Sequence, residues 1–382
     1  MNKSPDLRFS DFFDPWHLKK ISEITKVFDG THSTPKYVER GIPFYSVEHV
    51  TSNQFSKTKF ISEDVFNKEN KRVKLERGDI LMTRIGSVGV PRIIDWDVNA
   101  SFYVSLALIK KNNSFHSPFL AHSISSVSFQ REIWKRTIHV AFPKKINLGE
   151  ILNCEFLLPS VEEQNKIAKF LSSVDKKIQL LEKKKEQLEQ YKKGVMQKIF
   201  SQEIRFKDDN GNSFPDWEEK KLEDICYKTS SNLSASDCEN DSGEYPVYGA
   251  SGIYTFISSF DFNEDYIAIV KDGSGVGNLI YCVSNSSVIG TMDVLRTRLN
   301  NDLKFLYYFL QTVRFKKFKV GSSIPHIYFR DYRSLKKLTP NNNEQKKIAN
   351  FLFAIDKKIE TTSTQIDKTK EFKKGLLQQM FV

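Results

Sequence analysis

Apolar residues recur at alternating intervals of three and four positions in two long segments of the chain. The first segment carries Ile167, Leu171, Val174, Ile178, Leu181 and Leu188, and the second carries Ile348, Leu352, Ile355, Ile359 and Ile366. This spacing is a heptad pattern, which is typical of helices that pair along a narrow apolar seam. Each segment predicts a helix of about 37 residues, or about 55 Å at about 1.5 Å per residue. One helix cannot bury such a stripe alone, so we expect each to pack against a partner.

The two segments are near-copies of one another. The letters EQNKIAKFLSSVDKKI begin at Glu163, and the letters EQKKIANFLFAIDKKI begin at Glu344. An alignment without gaps joins residues 159–200 to residues 340–381. This likeness argues against two unrelated surface helices, so each copy is the expected partner of the other. Polar residues that interrupt the seams can fix the register of such a pair; they are Lys185, Lys192, Thr362, Thr369 and Lys373.

A weaker repeat precedes each long helix. Trp16 opens WHLKKISEI and Trp217 opens WEEKKLEDI, while DILMTRIGSVG (79–89) has its counterpart in IAIVKDGSGVG (267–277). Short runs of Val, Ile, Phe and Tyr, broken by Gly, Asn and Asp, predict mostly antiparallel sheet around these motifs. One helical stretch is predicted at the end of each β-rich globule, starting at Phe119 and at Leu303. The two globules thus share these motifs but differ in the residues between them. Two domains that recognise two different targets with the same fold would show this pattern.

The chain therefore has the organisation globule, helix, globule, helix. We expect an α+β fold with two β-rich globules in pseudo-repeat, each followed by a long helix, and the two helices paired as a coiled coil. The expected segments are residues 1–157, 158–201, 202–338 and 339–382. A length of 382 residues is sufficient for two domains with their own cores.

The charge balance favours a polyanionic partner. The 58 Lys and Arg residues exceed the 47 Asp and Glu residues and give a formal net charge of +11, which suits nucleic acid or an anionic membrane surface. No run approaches the roughly 18 to 20 apolar residues of a membrane span, and the N-terminus lacks a signal-peptide core, so we expect a cytoplasmic protein without a membrane partner. The cysteines lack the CxxC spacing of a zinc site and do not suggest a disulfide framework; they are Cys154, Cys226, Cys238 and Cys282.

Catalytic motifs are not found in the sequence. The chain lacks a P-loop, an HExxH motif and a nucleophile elbow. The letters GSGVG, from Gly273 to Gly277, resemble a nucleotide-binding loop, but they lack GxGxxG spacing and no helical pattern follows them. The letters PDWEEKK, from Pro215, could suggest a nuclease, but their acids are too close together to lie on separate strands around a metal. We expect no catalytic residues and no metal site, and we interpret Trp217 as a packing anchor.

Basic residues on Gly-rich or proline-containing turns are the candidate DNA contacts, because backbone N–H groups and neighbouring cations on such turns can bind phosphate oxygens. In REIWKRT (131–137) and RFKKFK (314–319), Lys and Arg residues are interleaved with aromatic residues. This pattern suits a surface that binds a polyanion, but it also suits an amphipathic helix whose aromatic residues face inward. The candidate set is Thr83, Arg84, Gly86, Ser87, Lys144, Lys145, Lys271, Gly273, Ser274, Lys316, Lys317, His326 and Arg330. The alternative for each residue is a tight turn or a solvated surface without a ligand.

These motifs together resemble the specificity subunit of type I restriction-modification systems. The resemblance rests on the paired P…EQxKIAxFL…[VI]DKKI…KKG segments at Pro159 and Pro340, the motifs at Trp16 and Trp217, and the Gly-rich turns GSVG (86–89) and GSGVG (273–277), and it covers essentially the whole chain. The second copy departs from the first in reading NNNEQ from Asn341 where the first reads VEEQ. The resemblance implies two target-recognition domains, each reading one half of an interrupted, asymmetric site in double-stranded DNA, held apart by two antiparallel helices.

The resemblance also implies that the helices dock modification (methyltransferase) subunits, and through them restriction and translocase subunits. A specificity subunit of this kind would have no catalysis and no cofactor of its own, so S-adenosylmethionine, ATP and Mg²⁺ would bind to the partner chains. A coiled-coil scaffold whose two β-rich modules bind proteins is the alternative from a different class. DNA binding through several phosphates would weaken steeply with salt, whereas binding by the scaffold would not.

Overall fold

A computed structural model describes residues 4–298, 300–321 and 324–382, with the side chain of Glu69 excepted. The chain divides into two compact units, of which unit 1 comprises Met1–Glu182 and Thr364–Val382 and unit 2 comprises Lys183–Ser363. Each unit contains one β-rich globule, part of the first long helix and part of the second. The division therefore falls inside both helices, whereas the segments expected from the sequence end at the helix boundaries.

Unit 1 begins with a globule of short strands and helices. Its strands are β1 (His17–Lys20), β2 (Val27–Asp29), β3 (Tyr37–Val38), β4 (Ile42–Tyr45), β5 (Lys59–Ile61), β6 (Ile80–Thr83), β7 (Pro91–Ile93), β8 (Ser101–Phe102), β9 (Leu106–Ile109) and β10 (Glu155–Leu158). Its helices are α1 (Ile21–Ile24), α2 (Val47–Ser52), α3 (Glu63–Asn70), α4 (Ser117–Ile124), α5 (Val127–Arg136) and α6 (Leu148–Leu152), followed by α7 (Val161–Phe200). One antiparallel sheet has the order β2-β9-β6-β7, a mixed sheet has the order β3-β5-β4-β8, and β1 pairs antiparallel with β10.

The main core of unit 1 lies between the β2-β9-β6-β7 sheet and the helices. Strand β6 reads ILMT and is buried throughout, as expected for a short, continuous apolar run. Ile80 and Met82 of this strand belong to one apolar cluster with Phe119 of α4 and Leu171 of α7. Phe381, near the C-terminus, completes the cluster, with its ring centroid 5.4 Å from that of Phe119. The last residues of the chain are therefore part of the core that the first globule builds.

Unit 2 repeats this plan with different residues. Its strands are β11 (Glu218–Lys221), β12 (Cys226–Ser230), β13 (Tyr245–Gly249), β14 (Gly252–Ile257), β15 (Tyr266–Val270), β16 (Leu279–Cys282), β17 (Ser287–Val288), β18 (Met292–Thr297) and β19 (Lys336–Thr339). Its helices are α8 (Leu222–Ile225), α9 (Leu303–Gln311), α10 (Phe329–Tyr332) and α11 (Asn342–Gln379), with short 3₁₀ turns at Ser236–Cys238 and Phe315–Phe318. The sheets have the orders β12-β18-β15-β16, β14-β13-β17 and β11-β19.

The two units share strand pairings as well as motifs. Each has a four-stranded antiparallel sheet, a two-stranded antiparallel sheet before its long helix, and one parallel pair, which is β4 with β8 in unit 1 and β13 with β17 in unit 2. The core of unit 2 joins Ile267 and Ile269 of β15 to Phe305 of α9 and to Ile348 and Leu352 of α11. The predicted pseudo-repeat of mostly antiparallel, β-rich globules is confirmed.

The long helices pair antiparallel, as predicted. In unit 1 the Lys373 ammonium lies 2.5 Å from Asp175, and the Lys370 ammonium lies 2.6 Å from Glu182. In unit 2 the Lys192 ammonium lies 2.6 Å from Asp356. Residue numbers therefore rise along α7 as they fall along α11. The Lys192–Asp356 and Asp175–Lys373 ion pairs join the same aligned positions of the repeat, with the two helices exchanging roles.

The burial of the helices follows the predicted seam. Ile167, Leu171, Val174, Ile178, Ile348, Leu352, Ile355 and Ile366 are buried, whereas Leu181, Leu188 and Ile359 are only partly buried. Along α7 the apolar cluster of unit 1 ends at Ile178, and that of unit 2 begins at Val195. The seam residues between these positions are therefore covered by fewer side chains. Thr362 is buried in the seam, and its hydroxyl donates to Lys358 O at 2.7 Å. Among the described residues, no helix has the length and apolar character needed to cross a membrane.

The single helical stretch predicted from Phe119 is wrong. The chain forms two helices there, α4 and α5, because Ser126 interrupts the helix and its hydroxyl accepts a hydrogen bond from Phe129 N at 3.3 Å, which caps α5. The stretch predicted from Leu303 also ends early, since α9 stops at Gln311 and a separate 3₁₀ turn follows.

Candidate nucleic-acid interface

A buried carboxylate in the first turn of α7 joins the helix to the start of the globule in unit 1. Glu163 accepts two hydrogen bonds from the Arg8 guanidinium, each 2.8 Å long, and one from Trp16 Nε1 at 3.1 Å. The hydrogen bond to Glu163 raises the pKa of Arg8. The neighbouring Gln164 donates to Pro159 O at 2.9 Å and accepts from His116 N at 2.8 Å. These contacts explain why Trp, Glu and Gln recur in the repeat.

Unit 2 contains the same arrangement. Glu344 accepts two hydrogen bonds from Arg205, each 2.9 Å long, and one from Trp217 Nε1 at 3.0 Å. Gln345 donates to Pro340 O at 3.0 Å and accepts from Asp302 N at 2.9 Å. The second copy therefore keeps the contacts of the first although it reads NNNEQ. Trp217 is 7% exposed, which confirms it as a packing anchor.

In unit 1 the Gly-rich turn after β6 is exposed at its tip. Gly86 and Ser87 face solvent, and Gly86 has a φ of +83°, a conformation that favours glycine. Gly86 N donates to Lys144 O at 2.8 Å, so the turn is joined to the hairpin that carries Lys144 and Lys145. Both lysines are exposed. Four of the predicted residues thus form one exposed region, the unit 1 basic surface (Gly86, Ser87, Lys144 and Lys145).

Thr83 and Arg84, which the sequence predicts as DNA contacts, have buried side chains. Thr83 is fully buried at the end of β6, where its hydroxyl accepts from Val90 N at 2.9 Å. The Arg84 side chain is 10% exposed and donates to Ile146 O at 3.2 Å and to Val104 O at 3.0 Å, with the Asp29 carboxylate 3.6 Å away. Burial lowers the pKa of Arg84, and Asp29 partly offsets this effect. The guanidinium therefore stabilises the base of the turn from inside.

In unit 2 the corresponding turn is joined to its hairpin by similar bonds. Gly273 N donates to Pro325 O, and Ile327 N donates to Lys271 O, both at 2.9 Å. Ser274 is exposed at the tip. The Lys271 ammonium lies 3.6 Å from Asp293 and is only 25% exposed, so part of its charge is balanced within the unit.

Further bases lie beside this turn. Lys316 and Lys317 are exposed on the 3₁₀ turn, whose Phe315 is 4% exposed. The aromatic residues there face inward while the lysines face solvent, as an amphipathic element predicts. Both lysines line a pocket of about 400 Å³ together with Gly277 and Asn278 of the Gly-rich turn.

His326 and Arg330 lie on and after the hairpin of unit 2. The His326 ring centroid is 5.0 Å from that of Tyr328, and the Arg330 guanidinium stands 4.6 Å from the same ring. The Arg330 side chain is 74% exposed. We name Lys271, Gly273, Ser274, Lys316, Lys317, His326 and Arg330 the unit 2 basic surface.

Sequence reasoning missed the apolar tips of the two hairpins. In unit 1 Val140 is 97% exposed and Phe142 is 104% exposed. In unit 2 Ile324 is 68% exposed at the tip, and Val320, which pairs with His326 at the base of the hairpin, is 45% exposed. The signal was present in the letters FPKKI and IPHI, where a large apolar residue precedes proline in both hairpins.

A buried histidine distinguishes the two units. His122 of α4 lies 3.9 Å from Asp175, and burial lowers its pKa from 6.5 to about 4, with Lys373 lowering it further and Asp175 opposing. His116 also lowers this pKa. In the matching position of α9, unit 2 has Tyr308, whose hydroxyl donates to Asp356 at 2.7 Å.

The cysteines are packed thiols. All four are free and buried. Burial raises the pKa of Cys154, Cys226 and Cys282 to about 12 in each case, so these thiols stay protonated at neutral pH. Within the described part of the chain, no group of three or more His, Cys, Asp and Glu side chains could hold a metal ion.

Comparison with known proteins bears on the identity of this arrangement. A family model described as the type I restriction modification DNA specificity domain matches the chain twice, at residues 14–190 and 215–371. The chain is similar to a protein of Methanocaldococcus jannaschii named as the MjaX specificity subunit of a type I restriction enzyme, with 25% identity over 396 residues, 95% of this chain and 92% of that protein. A shorter match joins it to the type I restriction enzyme EcoBI specificity subunit of Escherichia coli, with 32% identity over 100 residues, 26% of this chain and 21% of that protein.

Solved structures share the fold. The S subunit of a type I restriction-modification system from M. genitalium aligns with a TM-score of 0.68 and 17% identity over 100% of this chain and 99% of that chain. A structure described as the basis of complex assembly and conformational transition of the type I R-M system aligns with a TM-score of 0.53 and 14% identity, over 95% of this chain and 96% of that chain. The two globules and paired helices are thus a known architecture.

Proposed function

Because this chain belongs to the type I restriction modification DNA specificity family and is a DNA sequence-recognition subunit with two target-recognition domains, we propose that each unit reads one half of a bipartite, asymmetric site. One observation carries the proposal. Both units join a Gly-rich turn to a basic hairpin by equivalent backbone hydrogen bonds, Gly86 N to Lys144 O and Gly273 N to Pro325 O. The frame is repeated, while the side chains around it differ. A protein that binds two different half-sites with the same backbone geometry would need this repeated frame together with different side chains around it.

Each basic surface contacts phosphates in this proposal. Lys144 and Lys145 are exposed, and no acidic residue lies between Ile138 and Ile146. Exposed lysines next to the N–H groups of a turn suit phosphate oxygens, which position a protein on a duplex without specifying sequence. Specificity then comes from the side chains that differ between the two units. A scaffold with two protein-binding modules is not favoured, since the family match covers both halves of the chain.

The test of this function is a selection from random duplex DNA by the full chain in complex with its modification subunits. The expected result is enrichment of two short specified blocks separated by an unspecified gap of constant length. Changing both Lys144 and Lys145 to Gln should weaken binding for all sequences and flatten the dependence on salt by about one unit of slope for each lysine lost. The matched control is Lys176→Gln, an exposed lysine on α7 in the same unit. Failure to enrich any sequence, or binding that is indifferent to salt, would refute the proposal.

The outer faces of the long helices are the proposed docking sites for methyltransferase subunits, through which restriction and translocase subunits join. Tyr191 of α7 is 54% exposed and Phe372 of α11 is 56% exposed. These residues occupy the same position of the aligned repeat, off the apolar seam. Exposed aromatic residues often dominate binding at protein interfaces. Equivalent positions on two helices suit two copies of one partner.

Alanine substitutions test this docking. Tyr191→Ala and Phe372→Ala should each weaken co-purification of the modification subunit, and the double variant should abolish it. The control is Leu180→Ala, which removes a residue that is 59% exposed but whose counterpart in the repeat, Thr361, is polar. Unaltered complex formation by the double variant would exclude the proposed anchors.

The chemistry is proposed to belong to the partner chains. The specificity subunit has a non-catalytic role in its complex, with S-adenosylmethionine, ATP and Mg²⁺ bound by the modification and restriction subunits in the cytoplasm. Methylation of a base requires that it leave the stack, and the partner would perform this step. Accordingly, the purified chain with S-adenosylmethionine and its selected DNA should transfer no methyl group until modification subunits are added. Methylation by the chain alone would overturn this assignment.

A further inference from the structure

The tip of the hairpin in unit 1 combines full exposure with apolar side chains. Val140 is 97% exposed and Phe142 is 104% exposed, and Pro143 follows them in solvent. Single exposed apolar residues are ordinary on protein surfaces, but two large ones within three positions at the end of a hairpin are not. The hairpin itself is held firmly, since Ile138 N donates to Lys145 O at 2.7 Å and Ile146 N donates to Arg84 O at 2.9 Å. A rigid base therefore carries an apolar tip outwards.

The charge around this tip indicates its partner. From Phe129 to Gly149 the chain carries five Lys and Arg residues and a single acid, Glu132, which lies 2.8 Å from Lys135. Lys144 and Lys145 immediately follow the apolar residues. An apolar protein partner would not require this excess of positive charge, whereas the stacked bases of a duplex lie between two rows of phosphates.

Unit 2 repeats the combination independently. Ile324 is 68% exposed and Val320 is 45% exposed, and Pro325 follows Ile324. From Arg314 to Arg330 the sequence has five Lys and Arg residues and no acid. Phe142 and Ile324 hold the same position, directly before the proline of each hairpin, whereas Val320 pairs with His326 at the hairpin base, as Ile138 pairs with Lys145 in unit 1. The basic surroundings of the two hairpins are similar.

We propose that each hairpin tip is an apolar wedge that enters the base stack of the DNA half-site bound by its unit. Phe142 with Val140 would form the wedge of unit 1, and Ile324 would form that of unit 2. Side chains such as Phe, Ile and Pro unstack two neighbouring base pairs when they enter between them, and the duplex bends. Flanking Lys and Arg side chains then bind the phosphates. The inference rests on the proposed function, because it requires that each unit binds its own half-site.

The wedge makes sequence recognition depend on how easily the DNA deforms. Unstacking is easiest at pyrimidine–purine steps. We therefore expect such a step at a fixed place in each half-site, even where no side chain reads the base edges. The wedge would also loosen the stack near the base that the methyltransferase must flip, which links recognition by this chain to chemistry on its partner.

The experiment uses the complex of the full chain with its modification subunits and the duplex obtained from the selection. A 2-aminopurine base is moved through each half-site, because its fluorescence rises when it is unstacked. Phe142→Ser should lower affinity about tenfold, a loss within the range measured for removal of one aromatic contact with a base. It should also abolish the fluorescence increase at one step of the half-site of unit 1. Ile324→Ser should do the same in the other half-site only.

Three controls separate the wedge from other effects. Phe142→Leu keeps an apolar tip and should retain affinity and fluorescence. Phe13→Ser changes a residue that is 84% exposed elsewhere in unit 1 and should have no effect. The paired change of Lys144 and Lys145 to Gln should weaken binding and flatten its salt dependence but leave the fluorescence increase at saturating protein.

The outcomes distinguish this inference from the function on which it rests. A complex that selects no DNA sequence refutes both. A complex that selects a site, while Phe142→Ser and Ile324→Ser bind it with unchanged affinity and fluorescence, refutes the wedge alone. Loss of modification subunits from the Phe142→Ser complex, with unchanged DNA unstacking, would show that the tip docks a protein and would also refute the wedge.

Discussion

Replacing the buried carboxylate of Glu163 by an amide tests whether the Arg8–Glu163–Trp16 cluster holds unit 1 together. The Glu163 side chain is 2% exposed and that of Arg8 is 15% exposed, so both charges are largely removed from water. Removing one partner of a buried ion pair costs about 3 to 5 kcal/mol. The amide of Gln still offers an acceptor to Trp16, and Arg8 keeps some contact with solvent. We therefore expect Glu163→Gln to lower the free energy of unfolding of unit 1 by about 2 to 3 kcal/mol, which is at or below the low end of that range.

The assay must report on one unit at a time, because a chain with two compact units need not unfold in a single step. Amide hydrogen exchange followed by mass spectrometry meets this need, since peptides from β1, β10 and α4 report on unit 1 alone. Glu162→Gln is the matched control, because Glu162 precedes Glu163 in the same helical turn but is exposed. The equivalent change in unit 2, Glu344→Gln, should accelerate exchange only in peptides from β11, β19 and α9.

A double-mutant cycle measures the coupling directly. Arg8→Met removes the cation and keeps an apolar side chain, and its combination with Glu163→Gln should cost less than the sum of the two single changes by roughly 1 to 3 kcal/mol. The reasoning would be refuted if Glu163→Gln and Glu162→Gln had the same effect on exchange in unit 1. It would also be refuted if the cycle gave no coupling.

Three further predictions concern pH, the buried arginine and the paired helices. The pKa of His122 is about 4 in the folded protein and 6.5 ordinarily, so the folded state binds fewer protons than the unfolded state between these pH values. Unit 1 should therefore lose stability as pH falls from about 6.5 to 4, by at most about 1.4 kcal/mol per pH unit. Unfolding of unit 1 measured by exchange at several pH values should show this slope, and His122→Gln should remove it; an unchanged slope would contradict the assignment. Arg84→Met should destabilise unit 1 by about 2 kcal/mol, because the carbonyls of Ile146 and Val104 lose their donor while Asp29 keeps its ion pair with Arg72. The salt slope of DNA binding should not change, and a reduced slope would instead support the predicted phosphate contact. Deleting residues 181–187 together with residues 361–367 should shorten both helices by about 10 Å and narrow the gap in the recognised site by about three base pairs. Deleting residues 181–187 alone should instead disrupt the register of the helix pair. Selection from random DNA measures the gap, and an unchanged gap after the double deletion would show that the helix length does not set it.

The periodic parts of this protein could be predicted because their structure depends on neighbours in the sequence. The seam from Ile167 to Ile178 follows from residues three and four positions apart, which lie on one face of a helix whatever surrounds it. The repeat at Glu163 and Glu344 showed that each helix had a matching partner. The role of Trp217 as an anchor was also predictable, since its motif recurs at Trp16.

Other features depended on residues that only the tertiary structure brings together. Arg84 belongs to the same GSxG turn as Ser87, and the letters alone do not distinguish a cation in solvent from one directed inward. Its buried side chain lies near Asp29, the last residue of β2, which reaches the turn only through the β2-β9-β6 arrangement of the sheet. The full exposure of Phe142 is likewise a property of the folded hairpin, because a phenylalanine before proline in a β-rich segment would ordinarily be assigned to the core.

The sequence by itself therefore determined two repeated globules, two paired helices and a basic protein that suits DNA. The tertiary structure decided which Lys and Arg side chains are exposed and can bind a phosphate, and which apolar residues face outward. The physical reason is that periodicity is a local property of the chain. Burial of a single charge or ring, by contrast, depends on strands and helices that are far apart in sequence and become neighbours only on folding.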